Sequence, residues 1–293
     1  MAVILVTGAK GQLGQEIKMA SKHHFGYEYI YTDIDDLDLT DPDETSRIIE
    51  ETRPDWILNC AAYNLVDKAE SDFDEALRIN SMAVNNIVSV IRDTPVYLIH
   101  FSTDYVYNGT GQQPFSEYSI PAPVNAYGRS KLEGEKNALH HPWTMVIRTS
   151  WLYSEFGNNF VKTMLKLSKE RTELKVVNDQ TGTPTYASDL ANTVLGIIEN
   201  IIRQQIAFNG GIYNYSNEGS CTWYDFAAAI FEYAGIDCKV IPVSSEEFNS
   251  EAERPSFSVM NKNKIRENYD ISIPDWRESL RLCIHKIKKH SHI

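Results

Sequence analysis

Through the first half of the chain, short apolar runs that stop at glycine or polar residues alternate with segments of helical period. "AVILVTG" (2–8) is an unbroken apolar run ending at Gly8. That is the pattern of a strand buried on both faces of a parallel sheet. "QLGQEIKMASKH" (12–23) follows with helical spacing. Further strands are expected at 27–33, 55–62, 95–102 and 143–150. Helices are expected at 40–54, at 74–93, and from the segment holding Tyr127 to the "HHP" at 140–142. In the helix at 40–54, Thr40 or Asp41 is the cap, Pro42 falls in the first turn and Pro54 lies past the end. The order predicts an α/β fold, a Rossmann-type doubly wound parallel sheet with right-handed crossovers and helices on both faces.

Beyond residue 150 the pattern loosens. Helices near 157–169, 187–203 and 222–235 are separated by short strands at 174–177, 211–216 and 238–243. "WRESLRLCIHKIKKH" (276–290) reads as a closing amphipathic helix. No Gly/Ser-rich or Pro-rich linker and no repeat interrupts the chain. The expected organisation is a dinucleotide-binding domain over 1–150 and a smaller α/β, mainly substrate-binding region over 151–293. The second region is expected to be packed on the first, with chain crossing back to it.

Composition narrows the partners. A chain of 293 residues makes one large domain or two modest ones, and 42% hydrophobic residues is ordinary for a soluble protein. A formal net charge of −12 argues against nucleic acid or an anionic membrane as partner. It leaves open a small anionic ligand, which feels the local field of its pocket. Cys60, Cys221, Cys238 and Cys283 show no C-x-x-C spacing and read as reduced, mostly buried thiols. The N-terminal apolar run is too short for a signal peptide and lacks a basic flank. No stretch approaches the roughly 18 apolar residues of a membrane span. A soluble, cytoplasmic protein is expected.

"VTGAKGQLG" places Gly8, Gly11 and Gly14 between the first strand and the first helix. A tight turn there needs unusual φ, and close approach to a pyrophosphate leaves no room for Cβ. The helix N-terminus then offers free N–H groups to the phosphates. Asp33, at the end of the second strand, stands where a carboxylate bonds a ribose 2′-hydroxyl and favours NAD over NADP. Lys10 could offset that charge, so NADPH and NADH both stay open. Asp38 and Leu39 sit where an adenine would reach.

Tyr127 and Lys131 lie four apart, on one face of a helix. A free tyrosine titrates near 10, too high for acid–base work at neutrality. A nearby ammonium and an oxidised nicotinamide favour phenolate. Bringing the phenol to about 7 takes on the order of 4 kcal/mol of differential interaction. Ser102 and Thr103, at the C-terminal end of a strand, are the candidate hydroxyls for a carbonyl oxygen. Gly128 and Gly134 each cost about 1 kcal/mol inside a helix, which close packing of that helix would explain.

Together Gly8-x-x-Gly11-x-x-Gly14, "NCAAY" (59–63), "STDYVY" (102–107) and Tyr127-x-x-x-Lys131 resemble the extended short-chain dehydrogenase/reductase family. "VDKAES" (66–71), "STDYVYNGTG" (102–111), "RTSWLY" (148–153), "GNNFVKTM" (157–164), "VNDQTGTPT" (177–185) and "RPSFS" (254–258) are similar to the dTDP-4-dehydrorhamnose reductases within it. The resemblance implies hydride transfer from NADPH or NADH to C4 of a dTDP-4-keto-6-deoxy-hexose, giving dTDP-L-rhamnose. It implies that Tyr127 donates the proton, that Lys131 bonds the nicotinamide ribose and lowers the tyrosine pKa, and that Thr103, rather than Ser102, meets the reacting oxygen. Gly11, Gln12 and Leu13 would hold the pyrophosphate. Asp33, Asp38 and Leu39 would face the adenosine half, and Ala61, Ala62 and Tyr63 would line the cofactor. Asp104 and Trp151 would contact the sugar, and Asn159 and Arg254 the nucleotide. The resemblance also allows a homodimer, and Mg²⁺ near Glu16 and Asp189, although two solvated carboxylates are the plainer expectation there.

Related 4,6-dehydratases carry glutamate where Tyr105 stands, so dehydration is disfavoured. A 4-epimerase, another 4-ketoreductase or a non-catalytic homologue remain alternatives. Intact Thr103, Tyr127 and Lys131 argue against the last.

Overall fold

The computed structural model describes residues 1–291; the last two residues lie outside it. Five strands of the first half, β1 (Ala2–Thr7), β2 (Tyr27–Tyr31), β3 (Trp56–Asn59), β4 (Tyr97–Thr103) and β5 (Thr144–Thr149), join the later strand Gly211–Asn214 in one sheet. Every pairing in it is parallel, and its order from one edge is β2, β1, β3, β4, β5, then Gly211–Asn214. Side chains alternate across it. Ile4 and Val6 face one apolar core while Leu5 faces the other, which is why an unbroken apolar run was needed.

The helices of the first half are α1 (Gln12–Ala20), α2 (Pro42–Thr52), α3 (Phe73–Leu77), α4 (Ala83–Ile91) and α5 (Ala126–Ala138). In the second half lie α6 (Phe160–Leu167), α7 (Ala187–Ile202) and α8 (Trp223–Ala234). α1 and α7 cover the Ile4/Val6 face; α2, α4 and α5 cover the other. Asp41 caps α2 through the N–H groups of Asp43 and Glu44, with Pro42 at the first helical position. A third core (Tyr153, Val161, Phe226, Ile230, Trp276 and Leu280) joins α6 and α8 to the closing helix Trp276–Ser291. A parallel pair of strands, Glu173–Val177 with Lys239–Val243, packs on it. α7 and the strand after it therefore return from this region to the first sheet.

The expected elements all form, with one interruption. The helix predicted over 74–93 is broken by a π turn at Arg78–Met82. The turn seats Asn80, whose amide bonds both backbone groups of Tyr63 (2.9 and 3.1 Å) and the Ser130 hydroxyl (2.9 Å). It thus ties the loop after β3 to α5, and single-turn π features recur at functional sites. The short helix Asn263–Tyr269 was not predicted; Ile265 and Tyr269 pack on the sheet core.

Candidate active site

A cleft of about 1170 Å³ opens at the C-terminal ends of β1, β3, β4 and β5, the edge where open α/β sheets take ligands. The glycine turn forms one end. Gly8 has φ +64°, and a Cβ on it would stand 2.6 Å from the Ala61 nitrogen. A Cβ on Gly14 would stand 2.4 Å from the Gly8 carbonyl oxygen. Gly11 precedes α1 with no side-chain cap, so the first N–H groups of that helix are left for a ligand. Asn59 fixes the neighbouring strand end: its Oδ1 accepts from the Thr7 hydroxyl (2.9 Å) and the Ala61 N–H (3.2 Å). A cradle that admits no Cβ, at the head of a helix, fits a dinucleotide pyrophosphate.

Gly11, Gln12, Leu13, Ala62, Thr103, Asp104, Tyr127, Lys131, Trp151 and Arg254 line the cleft. Asp33 lies beside the turn, where Oδ2 accepts the Lys10 N–H at 2.7 Å and Oδ1 the Ile34 N–H at 2.9 Å. The Lys10 ammonium pairs with Asp35. Asp38 is occupied by Thr40, which donates from both its N–H (2.9 Å) and its hydroxyl (2.7 Å). Leu39 is buried in the core beneath α2 and α4. Tyr63 is buried with Ala69, Ala76 and Ala126. Asn159 does not line the cleft; it caps α6 and donates to Gln12 Oε1 at 2.9 Å.

The two candidate hydroxyls separate cleanly. Ser102 also borders the cleft, but its hydroxyl donates to Glu135 at 2.5 Å, inside a buried network with Arg148. Thr103 faces the cleft, accepts from the Tyr105 N–H (3.2 Å) and donates to Asp104 Oδ1 (3.1 Å). Asp104 is 1% exposed, and its Oδ2 has no hydrogen-bond partner. Burial pushes this carboxyl up to about 7, against the opposing pull of the Ser258 and Thr103 hydroxyls.

α5 brings Tyr127 and Lys131 to the same wall. Asn125 caps the helix by accepting the Gly128 N–H at 2.7 Å. Gly128 and Gly134 are required by contact: a Cβ would lie 2.2 Å from the Tyr105 carbonyl and 2.0 Å from that of Asn80. The Tyr127 phenol reaches Asn64 Oδ1 at 3.4 Å. Burial raises its pKa above the ordinary value, the Thr103 hydroxyl opposes that, and the Asp104 carboxylate adds to it. Lys131 is buried and donates to the Phe101 carbonyl at 2.6 Å. Burial brings its ammonium down to about 8, with Glu135 acting the other way. In the protein alone, then, the phenol is not acidified. The ammonium bonds a carbonyl rather than the tyrosine.

The far end of the cleft was partly hidden from the sequence. Trp151 takes a left-handed φ of +46° and stacks on Trp223 with centroids 3.6 Å apart. Gly182 lies beneath the indole, where a Cβ would be 2.6 Å from Trp151 Cε2. Arg254 is held by Asp67 at 2.7 Å. Asn64 and Trp223 carry no signal in one sequence, and Asp67 stands only within the "VDKAES" motif, because their partners are remote along the chain.

Glu16 and Asp189 do not meet. Glu16 accepts from Ser154 at 2.6 Å beside Glu155, which takes the Tyr186 hydroxyl (2.9 Å) and the Lys286 ammonium (3.2 Å). Asp189 accepts from Asn217 and Ser279. Among the described residues no three His, Cys, Asp or Glu converge as ligands. The donor set within one chain does not fit Mg²⁺.

The sequence matches the family described as RmlD substrate binding domain over residues 1–289. It is 37% identical over 289 residues to a dTDP-4-dehydrorhamnose reductase of Aggregatibacter actinomycetemcomitans, covering 96% of this chain and 98% of that one. The dTDP-4-dehydrorhamnose reductase of Clostridium acetobutylicum has a similar structure, with a TM-score of 0.91, 40% identity and coverage of 98% of this chain and 99% of that one. That of Bacillus anthracis, solved in complex with NADP, has a TM-score of 0.89 at 38% identity, covering 98% of this chain and 100% of that one. Matched from end to end in sequence and fold, the chain belongs to the RmlD family, that of the dTDP-4-dehydrorhamnose reductases.

Proposed function

We propose that the chain reduces the C4 ketone of dTDP-4-dehydro-6-deoxy-L-mannose to dTDP-L-rhamnose at the expense of NADPH or NADH. The observation that carries this is the convergence of Thr103, Tyr127 and Lys131 on one cleft with the Gly8–Gly14 turn at its end. No carboxylate stands at Tyr105, so the base a dehydration needs is missing.

The reduced dinucleotide, when bound, supplies the hydride. Gly11, Gln12 and Leu13 would hold its pyrophosphate at the head of α1. Lys131 would bond its ribose and, once turned from the Phe101 carbonyl, favour a charged Tyr127 oxygen. Thr103 bonds the ketone oxygen, and Tyr127 gives that oxygen its proton as C4 gains hydride. Trp151 and Asp104 orient the sugar. Arg254 offers a planar fork to the diphosphate. The NADP complex of the Bacillus anthracis relative supports the phosphorylated dinucleotide, whereas Asp33 favours NADH. Residues 151–293 carry most of the nucleotide-sugar side. No helix among the described residues is long and apolar enough to cross a membrane.

The test is single-turnover oxidation of bound NADPH or NADH on addition of the dTDP-4-keto sugar. Stoichiometric loss of the reduced nicotinamide with formation of dTDP-rhamnose supports the reading. Sugar conversion with no net oxidation would assign the chain to epimerisation instead.

A further inference from the structure

Thr103 has one proton, and the reaction needs it in a definite place. As the structure stands, the Thr103 hydroxyl donates to Asp104 Oδ1 and already accepts from the Tyr105 N–H. An ionised Asp104 can only accept. It therefore holds the Thr103 proton away from the ketone oxygen and leaves that oxygen facing a lone pair. A neutral Asp104 reverses the bond: the acid proton on Oδ1 points to Thr103 Oγ1, and the Thr103 O–H becomes free. We propose that Asp104 is a positioning residue, a neutral carboxylic acid that donates to Thr103 and so turns the threonine proton toward the oxygen being reduced. The inference rests on the reduction described above and says in which form the site is competent.

The surroundings of Asp104 favour this form. The carboxyl is 1% exposed and Oδ2 is without a partner, a placement costly for a charged oxygen and much cheaper for a neutral one. The ionisable groups that feel its charge are Tyr105 on its own turn and Tyr127 on α5, and Lys131 and Arg254 line the same cleft. The Lys131 ammonium bonds the Phe101 carbonyl, and Arg254 pairs with Asp67. Glu135 behind Ser102 is matched by Arg148. Among the described residues Asp104 makes no ion pair, so no cation holds its charge; the Ser258 and Thr103 hydroxyls and the backbone N–H groups of Asp104 and Tyr105 favour the ionised form, and burial outweighs them. Burial brings this carboxyl up to about 7, so the neutral acid is well populated near neutral pH and dominates below it. No proton leaves Asp104 during turnover; it sets a direction only.

The experiment compares the wild type, Asp104→Asn and Asp104→Ala from about pH 5 to pH 9. Asparagine keeps a donor for Thr103 that does not titrate. The wild-type kcat should fall as pH rises through the Asp104 ionisation. Asp104→Asn should lose that limb and turn over faster than Asp104→Ala at every pH, while Asp104→Ala should be slower than the wild type by about ten- to hundredfold. An Asp104→Asn variant as slow as Asp104→Ala, or one that keeps the alkaline limb, overturns the proposal. The infrared difference between ligand-free wild type and Asp104→Asn at neutral pH should show the carbonyl stretch of a protonated carboxylic acid; its absence also overturns it. That band needs no substrate, so a wild type with the band but no turnover on the sugar would count against the proposed reaction alone. NADP(H) affinity and thermal unfolding of each variant separate these outcomes from misfolding.

Discussion

Arg148 on β5 grips Glu135 on α5 in a fully buried two-point ion pair, Nε to Oε1 at 2.8 Å and Nη2 to Oε2 at 2.6 Å. The same guanidinium donates to the Tyr107 hydroxyl (2.9 Å), which donates on to Asn214 (3.0 Å). One charged cluster therefore joins α5 to β5 and to the strand Gly211–Asn214. Glu135→Gln leaves a buried guanidinium uncompensated and should cost about 3–5 kcal/mol in denaturant unfolding. Ser102→Ala, which removes one hydroxyl from the same carboxylate, should cost about 1 kcal/mol. Equal losses would show that the charge on Arg148 is not what Glu135 serves.

Tyr127→Phe should cut turnover by about 10²-fold or more and leave dinucleotide affinity almost unchanged. The lost group is a proton donor, while the cradle that binds pyrophosphate lies on the glycine turn. Stopped-flow reduction and fluorescence titration read the two quantities separately, and unaltered turnover would mean that another acid serves the ketone.

Lys131 gives a pH-dependent signature in stability. Burial brings its folded pKa down to about 8 from the ordinary lysine value of 10.5, so the charged form is disfavoured. Between those values the unfolded chain binds more protons, and the wild type gains stability as pH rises through that window. Lys131→Met removes the term. The stability of the variant relative to wild type should therefore be greatest below about pH 8 and shrink toward pH 10. Turnover should drop at least about 10²-fold, because a buried amine that weakens the fold is kept for its site. A gap that stays constant with pH would refute the burial of the charge.

Gly14→Ala places a methyl 2.4 Å from the Gly8 carbonyl oxygen, and backbone cannot yield as a side-chain tip does. The turn must shift, and dinucleotide affinity should fall by about tenfold or more, with about 1–3 kcal/mol lost in stability. Gly26→Ala is the control. It tests backbone strain alone, since φ there is +90° and no atom lies within 4 Å of the added carbon. It should lower stability without touching dinucleotide affinity.

Asp35→Asn releases the Lys10 ammonium from its carboxylate partner, at a residue whose backbone N–H bonds Asp33. The preference for NADPH over NADH should rise by several-fold, and added salt should diminish the gain by screening. An unchanged ratio of kcat/KM for the two cofactors would remove Lys10 from the 2′-phosphate question.

Elements and contacts were legible in the chain to different degrees. The strand runs, the glycine turn after β1, the Asp41–Pro42 helix start and the shared face of Tyr127 and Lys131 are local: each follows from the period of one segment or the conformational limits of one residue. The pyrophosphate reading of the turn and the acid–base reading of the Tyr127–Lys131 pair followed from placement and spacing, while the finer roles came from likeness to a family. Folding set the two neighbouring hydroxyls apart: Ser102 donates to Glu135, 33 residues away, while Thr103 donates to Asp104. It left Asp104 buried without a cation, put Arg254 in the grip of Asp67 across 187 residues, and returned Gly211–Asn214 to the edge of the first sheet. Such outcomes depend on which distant side chains share one volume. Periodicity along a chain records which face of an element is apolar; which polar groups meet there, and which lose their water, is settled when the elements pack.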